Sequence, residues 1–215
     1  MRGRYGIACA AALGIALLAS SAARAGNFFD FLGNMISQDD ADEYANKTLY
    51  PGDVPRSRVV PFKYHRQTVD YDTTEKPGTI IIDPEEHFLY FVLGDGQAIR
   101  YGVGVGRTGF GWKGVVRIGN KAEWPTWTPP PEMIARERAR GNKLPPFMAG
   151  GIDNPLGARA MYLYGAGGDT GFRIHGTDEP WTIGLNVSSG CIRLVNDDVE
   201  DLYDHAKVGA KVVIL

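Results

Sequence analysis

"KPGTIIIDPEEHFLYFVLGDGQAIRYGVGVG", residues 76–106, is the stretch from which the fold follows. Within it, Thr79 to Asp83, Glu86 to Leu93 and Gln97 to Val105 are runs of β-branched and aromatic residues, and Asp-Pro-Glu and Gly-Asp-Gly stand between them. Side chains branched at Cβ pack well on a pleated surface, while Gly, Asp and Pro supply the dihedrals of tight turns. The stretch therefore predicts three strands joined by two reversals. Further short strands are expected at Val115 to Lys121, Ala160 to Tyr164, Phe172 to His175 and Lys211 to Leu215. The body of the chain is mainly β.

Two helices interrupt this pattern. "TPPPEMIARERARGN" has Pro131 near its start, good helix formers through Arg140 and Gly141 as a stop. "NDDVEDLYDHAKVG" has Asn196 as the expected N-cap and Asp197 and Asp198 in its first turn. Its apolar face is expected from Val199, Leu202, Tyr203 and Ala206.

Before the body, residues 1–25 begin with Arg2 and Arg4, continue through the apolar run Gly6 to Ala19 and end in Ala23-Arg24-Ala25. That pattern reads as a cleavable secretory signal, because the apolar run is too short for the roughly 20 residues of a membrane span. Cys9 sits inside that run, so it is not placed as a lipid-attachment cysteine. Residues 26–76 are rich in Asp, Pro and Tyr without a sustained period, and read as an extension that is flexible or draped over the domain. Residues 77–215 form the expected domain, about one core in size. A formal charge of -2 gives no basic excess, so nucleic acid is not an expected partner.

Two familiar patterns lead elsewhere. "GVGRTG", residues 104–109, matches a dinucleotide-binding glycine pattern, but no helix pattern follows it to hold a pyrophosphate, so its glycines are read as serving turns and bulges. His65, His87, His175 and His205 lack the paired spacing typical of zinc, so neither metal nor cofactor is expected. His65 falls in the extension; His87 is read as packed in a strand and His205 as facing a helix end.

Chemistry concentrates in "HGTDEPWTIGLNVSSGCIRL", residues 175–194. After cleavage of the signal, Cys191 is the only cysteine left. An unpaired thiol in an oxidising compartment is buried and inert, reserved for an intermolecular disulfide, or chemically used. His175 closes an apolar strand sixteen positions before Cys191, a separation that one excursion of the chain can fold back. A neighbouring imidazole can take the proton of a thiol that is mostly neutral at pH 7. Gly190 removes bulk beside the nucleophile, where backbone N–H groups could hold an oxyanion. Arg193, two residues on, can share the strand face of Cys191, and its planar cation suits a substrate carboxylate. Taken singly, each residue has a plain structural reading: a packed cysteine, a hydrogen-bonded histidine, a solvated arginine.

Together, "RIHGT", "IG", "SSGCIRL" and "DVEDLY" resemble the YkuD-type L,D-transpeptidase domain, whose signature is a His-Gly followed by Ser-x-Gly-Cys and Ile/Val-Arg. "PGTIIID", "LYFV", "RYGVGVGR", "EWPTWTPPPEM" and "NPLGARAMYLY" extend the resemblance to the family's periplasmic branch, over residues 76–215. The resemblance implies a β-sandwich-like catalytic domain with one or two short helices, exported to the periplasm of a Gram-negative bacterium and acting on peptidoglycan stem peptides. It implies Cys191 as nucleophile, His175 as general base oriented by the carbonyl of Gly176, and Gly190 in the oxyanion neighbourhood. Arg193 would meet the substrate carboxylate, with Ser188 and Ser189 beside the substrate. The often-quoted motif has His where this chain has Ser189, so any role of that histidine falls to a shorter hydroxyl or is absent.

The implied reaction is acyl transfer through a thioester, with release of a terminal D-alanine. The acceptor amine belongs to another stem, giving a 3→3 cross-link, or to an outer-membrane protein. An L,D-carboxypeptidase using water as acceptor, and a non-catalytic wall-binding module, remain alternatives at this stage. "EWPTWTPPPEMIARERAR" is either a cover that shields the thioester from water or a segment whose Trp124 and Trp127 pack in the core.

Overall fold

The protein is described by a computed structural model over residues 54–56, 58–107 and 111–215. The signal-like segment, Cys9 and the first part of the extension lie outside the described residues.

Eleven strands are present: β1 Gln67–Asp70, β2 Ile80–Asp83, β3 Phe88–Gly94, β4 Gln97–Gly102, β5 Val105–Gly106, β6 Gly114–Glu123, β7 Arg159–Gly165, β8 Gly168–His175, β9 Asn186–Ser188, β10 Ile192–Arg193 and β11 Lys211–Ile214. Two α-helices, α1 Pro131–Ala139 and α2 Asn196–His205, stand where the sequence places them. Nine strands form one sheet in the order β1-β4-β3-β2-β11-β6-β7-β8-β10, and β5 pairs with β9 in a separate two-stranded ribbon.

Local sequence explains the pairing. Asp95 and Gly96 connect β3 to β4 with φ of 51° and 72°, positive at both central positions as a primed hairpin turn requires. Asp83 turns the chain from β2 to β3 by accepting hydrogen bonds from the N–H groups of Glu85 and Glu86 at 3.0 and 3.1 Å. His87 ends that turn with φ 60°, so it belongs to the reversal and not to the strand expected there. Its Nε2 lies 3.2 Å from Asn186 Oδ1.

The middle of the sheet is apolar on both faces. β2 reads Ile-Ile-Ile and is buried at all three, as a strand covered on both sides must be; it runs parallel to β11 and antiparallel to β3. β6 instead buries Val116 and Ile118 and exposes Val115 and Arg117. One core cluster gathers Leu89 and Tyr101 from one end of the sheet, Ile174 and Ile192 from the other, Val199 and Leu202 from α2, and Ala206 from the cap that ends it. Each such aliphatic side chain contributes about 1.5–3 kcal/mol by leaving water.

The two ends meet because the sheet curls. Gly104, just past β4, bridges Arg193 of β10 through Gly104 N–H to Arg193 O at 2.9 Å and the reverse bond at 2.8 Å. β10 is one edge of the sheet and β4 lies next to the other, so closure wraps the core in sandwich-like fashion.

The described part of the segment before residue 77 lies on this body. β1 adds an antiparallel edge to β4. Val54 packs with Leu185, Val187 and Trp181, and Arg58 Nη1 donates to the carbonyls of Trp181 and Ile183 at 2.7 and 2.9 Å. These contacts brace the connection that leads to β9.

Between β6 and β7 runs the long proline-rich excursion that carries α1. Buried Asn154 ties its base together, its Nδ2 reaching the carbonyls of Pro125, Met148 and Ala149 at 2.9–3.1 Å. Trp127 pairs with Met148 through two 2.8 Å backbone bonds, Trp124 is exposed, and no residue of α1 is buried. Neither tryptophan joins the buried core.

Candidate active site

β8 and β10 lie side by side and parallel, with Ile174 opposite Ile192 and His175 opposite Arg193. Ile174 and Ile192 point into the core, so alternation sends His175 and Arg193 to the other face. Cys191 immediately precedes β10. Thiol and imidazole each feel the charges of both Arg173 and Arg193. The parallel register thus sets the end of β8, which carries His175, beside β10, which Cys191 directly precedes.

His175 is buried, and its Nδ1 lies 2.6 Å from the carbonyl oxygen of Gly176. A carbonyl only accepts, so Nδ1 carries the proton and Nε2 keeps its lone pair. Burial, reinforced by Arg193, holds the His175 pKa down at about 3 against the opposing bond to Gly176. The ring is therefore neutral throughout the physiological range. Burial also raises the Cys191 thiol, more than the Arg173 N–H and the two arginines lower it. The resting pair is thiol and imidazole, not thiolate and imidazolium.

A hydroxyl shapes the turn that carries Cys191. Ser188 Oγ donates to the Cys191 carbonyl at 2.6 Å and accepts from the Gly190 N–H at 3.0 Å. Gly190 sits at φ 108°, a region that side chains with a Cβ rarely enter. Ser188 is buried, and it holds the Gly190 N–H.

Ser189 accepts from Arg107 Nη2 at 3.3 Å, and Arg107 also donates from Nη1 to the Val187 carbonyl and from its backbone N–H to the Ser188 carbonyl, both at 3.0 Å. Arg107 is 4% exposed. The sequence reading passed over it because it lies in the glycine run; a single Arg at the end of an apolar strand was the available signal.

Arg193 Nη1 donates to Glu179 Oε2 at 2.9 Å. Half-buried Asp178 stands next to this pair, its carboxyl raised to about 6 by burial and by Glu179, with Asp153 of the proline-rich excursion adding to the rise. The excursion thus borders the loop that follows His175.

Asn196 departs from its expected role. Val195 occupies the N-cap, Asn196 is the first helical residue, and its Oδ1 accepts from the N–H groups of Ala158 at 3.0 Å and Thr177 at 3.2 Å. The carboxamide thus holds the loop after His175 against the start of β7, instead of capping its own helix.

A neutral imidazole with a fixed tautomer ending one strand, and a thiol on a glycine-bearing turn before the strand paired with it, are groups that nucleophilic acyl chemistry can use. Comparison with known proteins gives the family. Residues 77–214 match the YkuD family model, described as the L,D-transpeptidase catalytic domain. A probable L,D-transpeptidase, ErfK/SrfK, of Escherichia coli K12 is 34% identical over 190 residues, covering 86% of this chain and 55% of that protein. The probable L,D-transpeptidase YcfS of the same organism is 36% identical over 143 residues, covering 65% of this chain and 44% of its own length. The chain thus spans about half the length of these relatives. A solved structure from Brucella melitensis, described as a probable carnitine operon oxidoreductase, is 49% identical over 71% of this chain and 94% of that one, with a TM-score of 0.48.

Proposed function

We propose that this chain, which belongs to the YkuD family of L,D-transpeptidase catalytic domains, transfers acyl groups between peptidoglycan stem peptides through a thioester on Cys191. The observation that supports the reading is the pairing of β8 with β10, with Cys191 directly before β10 and the buried His175 ending β8, its Nδ1 held by the Gly176 carbonyl.

The steps follow from the resting protonation states. Cys191 Sγ attacks the carbonyl carbon of the third stem residue while His175 Nε2 takes the thiol proton, since neither group is charged beforehand. Collapse of the tetrahedral intermediate breaks the bond to the terminal D-alanine, whose nitrogen leaves with the proton from His175. An acceptor amine then attacks the thioester carbonyl, gives its proton to His175, and the released sulfur recovers that proton. Gly190 N–H is held by Ser188, which leaves the N–H of Cys191 itself as the donor for the oxyanion. The acceptor is a second stem's side-chain amine, giving 3→3 cross-links, and the protein works in the periplasm.

The test is incubation with disaccharide-tetrapeptides, followed by mass spectrometry. D-alanine release with 3→3 dimers, both abolished in Cys191→Ala, supports the proposal. Tripeptide monomers alone, even with excess acceptor, would reassign the protein as an L,D-carboxypeptidase; dimers only with an outer-membrane protein present would move the acceptor to that protein.

A further inference from the structure

His175 is oriented by the carbonyl of Gly176, and that carbonyl is itself one half of a rigid unit. The peptide joining Gly176 to Thr177 is planar, with its C=O and N–H pointing in opposite directions. Its oxygen accepts from His175 Nδ1 at 2.6 Å, and its N–H donates to Asn196 Oδ1 at 3.2 Å. Asn196 therefore grips the far end of the same plane that the imidazole grips at the near end.

Neighbouring backbone groups are also assigned. Gly176 N–H donates to Arg159 O at 3.0 Å, Leu194 N–H donates to His175 O at 2.9 Å, and Asn196 Oδ1 takes a second bond from Ala158 N–H at 3.0 Å. Both partners of the Asn196 atom are N–H donors, so the oxygen, not the amide nitrogen, must face them. Space enforces the contact: a Cβ on Gly176 or on Gly157 would collide with that same oxygen. Two glycines and two hydrogen bonds converge on one carboxamide, which sits outside the nucleophile's turn and starts another helix.

We propose that Asn196 is a positioning residue for the catalytic base, acting through the Gly176–Thr177 peptide: its oxygen polarises that peptide and aims its carbonyl at His175 Nδ1, as a third member of the Cys-His system. A hydrogen bond received at one end of an amide strengthens the bond made at the other, because charge shifts along the unit. The chain Asn196 Oδ1, Thr177 N–H, Gly176 C=O, His175 Nδ1–H thus fixes the tautomer that leaves Nε2 basic. This deepens the transpeptidase reading and rests on His175 being its base, so the deciding measurement is made on the imidazole without substrate.

The experiment is nuclear magnetic resonance of the His175 ring in wild type, Asn196→Ala and Asn196→Asp, alongside steady-state kinetics. Wild type should show one tautomer, with Nδ1 protonated. Asn196→Ala should populate both tautomers and lower kcat by about 10–100-fold, the range for loss of a partner that orients a functional histidine, with KM little changed. Asn196→Asp keeps the acceptor and adds charge, so the Nδ1–H proton should move downfield while activity is largely retained. A folded Asn196→Ala protein with the wild-type tautomer would overturn the proposal, even if kcat fell, since Asn196 would then be only structural. If Asn196→Ala does not fold, Asn196→Asp decides: an unmoved Nδ1–H resonance overturns the relay. Inactivity of wild type on stem peptides would instead count against the proposed function and leave the tautomer result standing.

Discussion

Arg193 Nη1 lies 2.9 Å from Glu179 Oε2, so the cation that the sequence assigns to a substrate carboxylate already holds one of the chain's own. The pair is largely shielded, with 11% and 23% of the two side chains exposed. Thr182 Oγ1 donates to the Glu179 carbonyl at 2.7 Å, so Glu179 is anchored within the loop between β8 and β9. A substrate carboxylate reaching Arg193 must therefore share it with Glu179 or displace it.

Glu179→Gln separates these roles. Removing one partner of a shielded pair leaves Arg193 short of a counter-charge, and the variant should be destabilised by about 1–3 kcal/mol, below the cost for a fully buried pair. If Arg193 receives the substrate, loss of its internal competitor should lower KM for stem peptides bearing a free carboxylate, while Arg193→Ala should raise it. Steady-state kinetics on the two folded variants decides, and an unchanged KM in both makes the pair structural.

The thiol gives a second expectation. Burial raises Cys191 above its ordinary value, and the neutral His175 offers no positive charge to lower it. Alkylation by iodoacetamide without substrate should therefore climb with pH beyond about 9, with no plateau near neutrality. A plateau between pH 5 and 7 would reveal a thiolate-imidazolium pair and contradict the geometry of the buried ring.

Much of this was readable from residue types. Ile80 to Ile82, the Asp95-Gly96 reversal and the apolar face Val199, Leu202 and Ala206 each carry a period or a turn chemistry that only one element satisfies. Cys191 and His175 stand out because few residues do their chemistry. What stayed hidden depends on direction. β9 and β10 span three and two residues, too short for any period to show. Ser188 bonds the backbone of its own turn, and Asn196 serves a neighbouring loop rather than its own helix. Asn is equally at home at either helix-start position, and nothing local marks where its oxygen will point. Arg107 was masked by its glycines, and its partners lie about 80 residues away.

Buried neutral His175 sets a pH dependence of stability. Its folded pKa of about 3 lies below the ordinary 6.5, so the unfolded chain binds a proton that the folded chain refuses. The contribution is complete above about pH 6.5 and is lost as pH falls from there toward 3. Asp178 and Asp198, both raised to about 6, act in the opposite sense, losing stability as pH rises through that range. Total stability mixes these effects, so the comparison must be with His175→Gln. Between pH 6.5 and 4.5 the advantage of wild type over that variant should shrink by about 2–3 kcal/mol, at 1.36 kcal/mol per pH unit. A constant difference in urea titrations across that range would mean that the ring accepts its proton in the folded state.

Arg107 gives the last expectation. Its guanidinium fork takes the Val187 carbonyl at 3.0 Å and the Ser189 hydroxyl at 3.3 Å, and its backbone N–H takes the Ser188 carbonyl at 3.0 Å. The turn leading to Cys191 is thus held by one buried residue at three successive positions, twice through its side chain and once through its backbone. Lysine keeps the charge but has no fork, so Arg107→Lys cannot serve both side-chain acceptors with the same geometry. An unsatisfied buried carbonyl costs about 1–3 kcal/mol, and a displacement of the nucleophile by about 1 Å costs about 10²-fold in rate. Arg107→Lys should therefore lower kcat by about 10–100-fold with a modest loss of thermal stability. Ser189→Ala removes only the longest of the three contacts and should cost much less. Normal turnover by a folded Arg107→Lys protein would show that the Ser188 clamp holds Cys191 without help, whereas equal losses in both variants would place the arginine's effect in the Ser189 hydroxyl rather than in the Val187 carbonyl.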